Sequence, residues 1–151
     1  VSDPVILIGL RDVLRRLSYL RNFQDARVMD EVGLMLIARI QARTAEGRDV
    51  DGNTFEPYSP KYRLFRERTG RTGRKVNLFY TGSMMSSMTH TATKDMVTLF
   101  FANTQDPSGT PNPLKAYFLH QHRRFFAMSG EDRLMAMQII RNHVRRQTRR
   151  R

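Results

Sequence analysis

His120 and His122 are the first residues here whose type and spacing admit chemistry: on a strand they would share one side and supply half of a metal site. A complete site needs more ligands, and no Asp or Glu stands near them in the sequence, so two surface or interface histidines are expected. Asp49-Val50-Asp51-Gly52-Asn53 carries the oxygen donors of a calcium loop. An EF-hand, however, needs glycine at its sixth position and a bidentate glutamate at its twelfth, and counted from Asp49 those positions hold Thr54 and Pro60. The segment reads as a turn. Gly70 to Lys75 shares glycines and a lysine with a phosphate loop, yet the spacing is too short and no Ser or Thr follows Lys75 to hold magnesium. No serine sits in a nucleophile elbow, and the acids form no evident catalytic pair. With no cysteine in the chain, thiolate nucleophiles, zinc thiolate sites and disulfides all drop out. The expectation is a non-enzymatic protein with no catalytic residue, cofactor or metal.

Charge constrains function next. Lys and Arg number 26 against 14 Asp and Glu, a formal net of +12, with arginine far outnumbering lysine. Such an excess favours a polyanionic neighbour, nucleic acid or an acidic protein surface, without choosing between them. Arginine's planar fork pairs carboxylates bidentately and sheds water more readily than an ammonium, which suits assembly as well as DNA. In Tyr62, Arg63, Phe65, Arg66 and Arg68, continuing through Arg71 and Arg74, cations interleave with aromatics as in single-strand binders. On an amphipathic helix the same order arises when aromatics turn inward and arginines outward, and the spacing of Tyr62 and Phe65 favours that reading. The ending, Arg141 to Arg151, holds six arginines, half the net charge, with nothing to bury beyond Val144. It reads as a tail that stays solvated until a partner neutralises it.

The elements that must position these residues follow from length and periodicity. At 151 residues one domain is expected over 1–146, with 147–151 as a basic C-terminal tail. No run of about 18 apolar residues spans a bilayer, and Val1 to Leu10 lacks the marks of a secretion signal, so a soluble protein with no membrane partner is expected. Val5 to Ile8 reads as a short strand, and Leu10 to Leu20 as a helix. A stronger helix follows Asn22 as N-cap and carries Met29, Val32, Leu36 and Ile40 along one stripe, widened by Met35 and Ile37, until Gly47 ends it. Asp51-Gly52-Asn53, Pro57 and Pro60 turn the chain; Ser59 and Pro60 then launch a short helix over Lys61 to Glu67. Arg68 to Lys75 reads as an exposed basic loop. Val76 to Met88 reads as a brief extended piece ending near Thr81-Gly82, then a short helical or strand segment with Met84, Met85 and Met88, which suit a core or an interface equally. His90 to Ala92 and Met96 to Ala102 form a hairpin turning at Lys94-Asp95, and the apolar run Val97 to Phe101 points to cover on both faces. Asn103 to Pro113 is a polar loop. The last helix starts at Ser129 with Asp132 closing a capping box, and places Leu134, Met137, Ile140 and Val144 on one face.

In order, a helical first third ending in Gly47, DGNTFEPYSPKY at Asp51 to Tyr62, NLFYTGSMMSSM at Asn77 to Met88, and HQHRRFF at His120 to Phe126 before a terminal helix resemble the phage virion morphogenesis family. Those are tail-completion proteins, akin to tail terminators and head-tail joining proteins of long-tailed phages. The resemblance runs from about Leu10 to Val144 and rests on the order of short, non-catalytic motifs. It implies an α+β fold with a small antiparallel sheet flanked by helices, assembled into a ring, most often a hexamer, at the head-tail junction of the virion. It implies as partners the connector or head-completion proteins and the tail tube protein, with no cofactor. DNA would pass through the ring with weak or transient contact.

Interface candidates on this reading are Phe55, Tyr58, Tyr62, Met84, Met85, Leu99 and Phe101, with the Val97 to Phe101 strand buried against a neighbouring subunit. Candidate contacts to DNA or to an acidic partner are Arg68, Arg71, Arg74, Lys75, Arg145, Arg146, Arg149, Arg150 and Arg151. A pore that must release DNA cannot grip it, so much of this charge is expected to dock on acidic protein surfaces. The alternative is a nucleic-acid-binding module clamping the backbone with the basic loop and tail; a metal-dependent nuclease using His120 and His122 is a distant third.

Overall fold

The computed structural model describes residues 6–8 and 25–149. Among these the order is β1 (Ile6–Ile8), α1 (Ala26–Ala45), α2 (Pro60–Arg68), α3 (Ser83–Ser86), β2 (Met88–Ala92), β3 (Val97–Phe101), α4 (Asn112–His122) and α5 (Gly130–Thr148), an α+β arrangement with a small antiparallel sheet. The helix expected over Leu10 to Leu20 lies outside the described residues. No helix among the described residues is long and apolar enough to cross a membrane.

The long helix α1 begins three residues later than the Asn22 cap predicts. Asp25 is the N-cap, its carboxylate accepting from the Arg27 N–H at 3.0 Å. Its own N–H donates to the Lys94 carbonyl at 2.9 Å, which ties the helix start to the hairpin turn. Gly47 closes the other end at φ +81°, where a Cβ would stand 2.9 Å from the Val76 carbonyl oxygen. Between the caps Met29, Val32, Leu36 and Ile40 are fully buried, each contributing roughly 1.5–3 kcal/mol. Met35 and Ile37 pack on the flank of that stripe. Helix α1 packs on β2 and β3 and against α5 of the same chain.

The sheet order is β1-β3-β2, so β3 is the central strand. It pairs Ile6 with Leu99 on one side and His90 with Leu99 on the other. The β2 side is paired over all of Val97 to Phe101 and the β1 side over Val97 to Leu99, so β3 is an interior strand there and not the edge that the interface expectation needs. Its burial alternates: Val97, Leu99 and Phe101 are buried while Thr98 and Phe100 are half-exposed, so one face is fully covered where the apolar run predicted two. Phe100 alone breaks the polar-out alternation, which is why the run reads as continuous.

Gly33 sits in mid-helix, where glycine costs about 1 kcal/mol against alanine. The reason is on β2: a Cβ at Gly33 would lie 2.3 Å from His90 Cδ2, and His90 Nε2 lies 2.8 Å from the Asp30 carboxylate. Gly33 lets α1 approach the strand closely enough for that ring to pack. Gly33→Ala is expected to lower stability by about 1–3 kcal/mol despite the propensity gain. The added substitution His90→Ala is expected to restore most of the loss in a chemical-denaturation double-mutant cycle. A single Gly33→Ala variant more stable than wild type would rule the packing argument out.

Helix α5 carries the predicted capping box, with Ser129 and Asp132 bonding each other's backbone N–H groups at 3.1 and 2.8 Å. It runs antiparallel to α1, since Asp132 meets Arg39 and Arg43 near the end of α1 while His143 Nε2 lies 3.0 Å from Asp25 at its start. The inward face differs from the prediction. Asp132, Ala136 and Ile140 are buried, with Met137 and Val144 on the shoulder, whereas Leu134 is 66% exposed. The buried Asp132 sets the helix phase, and its two arginine partners outweigh the burial that Leu134 would have gained. The helix also continues through Thr148, so Arg145 and Arg146 ride on it as exposed helical residues.

Candidate functional site

Helix α2 starts as its sequence dictates, with Ser59 Oγ accepting from the Tyr62 N–H at 3.4 Å and Pro60 in the first turn. The amphipathic expectation holds for the exposed Arg63 and Arg68 and fails for the aromatics and for Arg66. Arg66 is 2% exposed, while Tyr62, Leu64 and Phe65 stand on the outside. Among the described residues Arg66 has no carboxylate partner. Its Nε donates to the Thr72 carbonyl at 2.8 Å, and its Nη2 donates to the Phe79 carbonyl at 2.9 Å and to Asn77 Oδ1 at 3.4 Å. The guanidinium lies 4.8 Å from the Tyr58 ring centroid, 5.9 Å from that of Tyr62 and 6.0 Å from that of Tyr80. Carbonyl dipoles and π faces together replace the water that a buried cation loses.

The acceptors are aimed by a strained turn. Leu78 takes φ +53°, left-handed for a non-glycine residue, with its side chain in the core. The Phe79 N–H donates to Asn77 Oδ1 at 3.1 Å, closing the turn. The RTGRTGRK loop is consequently stitched down. Arg71 Nε donates to the Tyr80 carbonyl and Nη1 to the Thr69 carbonyl, at 2.8 and 2.9 Å, and the guanidinium stacks 4.0 Å over Tyr80. Arg68, Arg74 and Lys75 are exposed.

Outside this staple runs an aromatic row, Tyr58 to Tyr62 at 5.0 Å between centroids, Tyr62 to Phe65 at 6.1 Å and Phe65 to Tyr80 at 5.8 Å. Two concavities adjoin it. A pocket of ≈ 660 Å³ is lined by Arg66, Arg71, Thr69, Thr72 and Tyr80 among others. A more apolar groove of ≈ 790 Å³ is lined by Ala45, Met85 and Pro107 among others. Asn77, Phe79 and Thr81 line both, so the two share a wall.

A second exposed face comes from α4, a helix that the sequence reading passed over. Buried Asn112 anchors it, donating to Thr104 Oγ1 at 2.8 Å and Ser83 Oγ at 3.0 Å. Asp106 braces the preceding loop, its carboxyl held well below the usual range first by the Ser108 hydroxyl and then by Lys115. Pro113 and Ala116 face inward, leaving Leu114, Tyr117 and Phe118 outward at the i, i+3, i+4 spacing that gives the helix away.

Of the interface candidates, Phe55, Met84, Met85, Leu99 and Phe101 lie in the chain's own core, so their apolar area is already used. For the methionines this resolves the even choice toward core. Tyr58 is half-buried and Tyr62 exposed, both in the Arg66 cluster. His120 and His122 lie at the end of a helix, where residues two apart do not share a face, in place of the expected strand. His120 Nδ1 accepts from the Phe126 N–H at 3.3 Å, and burial, followed by the Arg124 charge, lowers its pKa. Among the described residues no group of three or more His, Cys, Asp or Glu is placed to hold a metal. The Asp49 segment is a turn, its carboxylate accepting from the N–H groups of Asp51 at 2.9 Å and Asn53 at 2.8 Å. Arg149 is exposed beyond α5, and Arg150 and Arg151 lie outside the described residues.

In comparisons with known proteins, a family model described as the phage virion morphogenesis family matches residues 7–109. No curated protein and no solved structure matches.

Proposed function

The chain belongs to the phage virion morphogenesis family, and from that premise we propose that it is a non-enzymatic subunit of an oligomeric ring, most readily a hexamer, that completes or terminates the tail and joins it to the head connector. A phage structural or assembly role is the family's common property. The finer reading is carried by one observation: the subunit exposes two unlike apolar faces. These are the row of Tyr62 and Phe65 on α2, continued by Tyr80, and the α4 ridge of Leu114, Tyr117 and Phe118. A closed ring is built from head-to-tail contacts in which two different patches meet. Isolated apolar side chains are ordinary at a surface, whereas rows of them with aromatic members mark contact sites.

Light scattering and electron microscopy of the purified protein test this, alone and mixed with phage tails or connectors. A ring is expected, formed alone or on meeting the tail. The double variant Tyr117→Ser, Phe118→Ser is expected to abolish it while moving the melting temperature little, because both side chains are outside the core. A protein that remains monomeric, ignores tails and connectors, and binds duplex DNA with a steep salt slope would overturn the reading in favour of a nucleic-acid module. The observation favouring that second reading is the crowding of cations over Lys61 to Lys75, among which Glu67 is the single acid.

A further inference from the structure

We infer that the pocket between Arg66 and Arg71 receives a carboxylate from an acidic segment of a different virion protein, with an apolar neighbour of that carboxylate seated in the adjoining groove. The inference deepens the junction-ring reading by naming the partner's chemistry.

Four observations carry it. Both guanidiniums line the pocket, and one terminal nitrogen of each, Arg66 Nη1 and Arg71 Nη2, has no hydrogen-bond partner among the described residues, the other nitrogens being held by carbonyls and Asn77. Arg71 is half-buried and fixed by its two carbonyl bonds, so it offers its remaining donor at little further ordering cost beside the buried Arg66 charge on the same pocket, and a planar carboxylate matches such a fork. Second, the surrounding segment is uncompensated: from Lys61 to Lys75 there are seven cations and one acid, Glu67, which lies 3.9 Å from Arg63. A recess under such a field concentrates anions.

Third, the pocket shares its Asn77, Phe79 and Thr81 wall with the apolar groove. A polypeptide with an acidic residue beside an apolar one fills both compartments. A duplex, its bases stacked inside, has nothing to place in the second, which favours protein over duplex DNA. Fourth, a second copy of this chain is the weaker donor, because several of its acids are already engaged and it carries a net charge of +12. Asp30 meets His90, Asp51 meets Arg124, Asp106 meets Lys115, and Glu131 and Asp132 meet Arg39.

The test uses the purified protein, whatever its oligomeric state, and three probes: a terminally blocked peptide alternating glutamate with leucine, the same peptide with glutamine for glutamate, and a short duplex DNA. The side-chain Nε–H NMR signals of Arg66 and Arg71 report occupancy without any substitution. The glutamate peptide is expected to shift both signals and the glutamine peptide neither. Arg71→Gln is expected to weaken glutamate-peptide binding by about ten-fold or more, whereas Arg133→Gln, which removes the same charge on α5, changes it less than about two-fold. Equal losses in the two variants would reduce the effect to net charge and overturn the proposal. It is equally overturned by the absence of any shift, by glutamine-peptide binding of similar strength, or by duplex DNA moving the two signals at lower concentration than the peptide. Should Arg71→Gln fail to fold, the wild-type signals and the three probes still decide. Because the assay reads peptide binding, it can fail while ring formation holds, and the reverse.

Discussion

Arg66→Met is expected to destabilise the protein by on the order of 3 kcal/mol, measured by urea denaturation, although methionine fills much of the same space. Replacing a buried ionic group by an apolar one is often tolerated when every partner is replaced with it. Here the partners cannot be replaced, because two are the backbone carbonyls of Thr72 and Phe79. Without the guanidinium both carbonyls lose their donor in a part-buried setting, and three tyrosine faces lose the cation they surround. Arg66→Lys keeps the charge but lacks the fork that reaches acceptors on both sides, so it is expected to recover about half of the loss. The near-UV signal of Tyr58 and Tyr80 should loosen in both variants before the far-UV signal does. A cost below about 1 kcal/mol for Arg66→Met would mean that Arg66 does not hold the loop to α2.

Asp132→Ala is expected to be the most damaging single carboxylate removal, on the order of 3–5 kcal/mol. Asp132 is fully buried, and its carboxylate accepts from Arg39 Nε, from Arg43 Nη1 at 2.9 Å and from the Ser129 N–H at 2.8 Å. Removing it uncaps α5 and leaves Arg39 with the exposed Glu131 alone and Arg43 with the carbonyls of Phe125 and Ala127. The same group sets acid sensitivity. Burial by itself would raise the carboxyl's pKa, but the hydrogen bonds from Arg39, Ser129 and Arg43 outweigh it and hold the pKa below the ordinary 3.8. A folded-state pKa below the unfolded one gives a contribution that is complete above the unfolded value and is lost as the pH falls through the folded one. Stability is therefore expected to fall as the pH drops below about 4, and Asp132→Asn to flatten that fall. A pH–stability profile of Asp132→Asn parallel to that of wild type down to the acid transition would refute the assignment.

Two lessons attach to particular residues. The Ser129–Asp132 box, Ser59-Pro60, the Gly47 stop and the hairpin at Lys94-Asp95 were all legible, because caps and tight turns are satisfied by groups within about four positions of each other. The inward turn of Arg66 on α2 was not. A row of alternating aromatic and basic residues has the same periodicity whichever set faces inward, and what turns Arg66 inward is a set of acceptors 6 to 13 positions further along. The ridge on α4 was missed for a simpler reason: its prolines and polar start resemble the loop before it.

By itself, then, the sequence determined the class of the protein: an α+β chain with a long helix over a small sheet, no local pattern of catalytic or metal-binding residues, a strong positive charge, and an order of motifs that belongs to a phage morphogenesis family. Only the tertiary structure decided which residues are available to partners. It assigned Leu99, Phe101, Met84 and Met85 to the core, placed β3 between β1 and β2, and brought Arg66 and Arg71 to one pocket beside an apolar groove. The physical reason is common to all of these. Burial, strand order and the company of a charge are set by contacts between segments far apart in the chain, and periodicity carries no information about which segment will arrive.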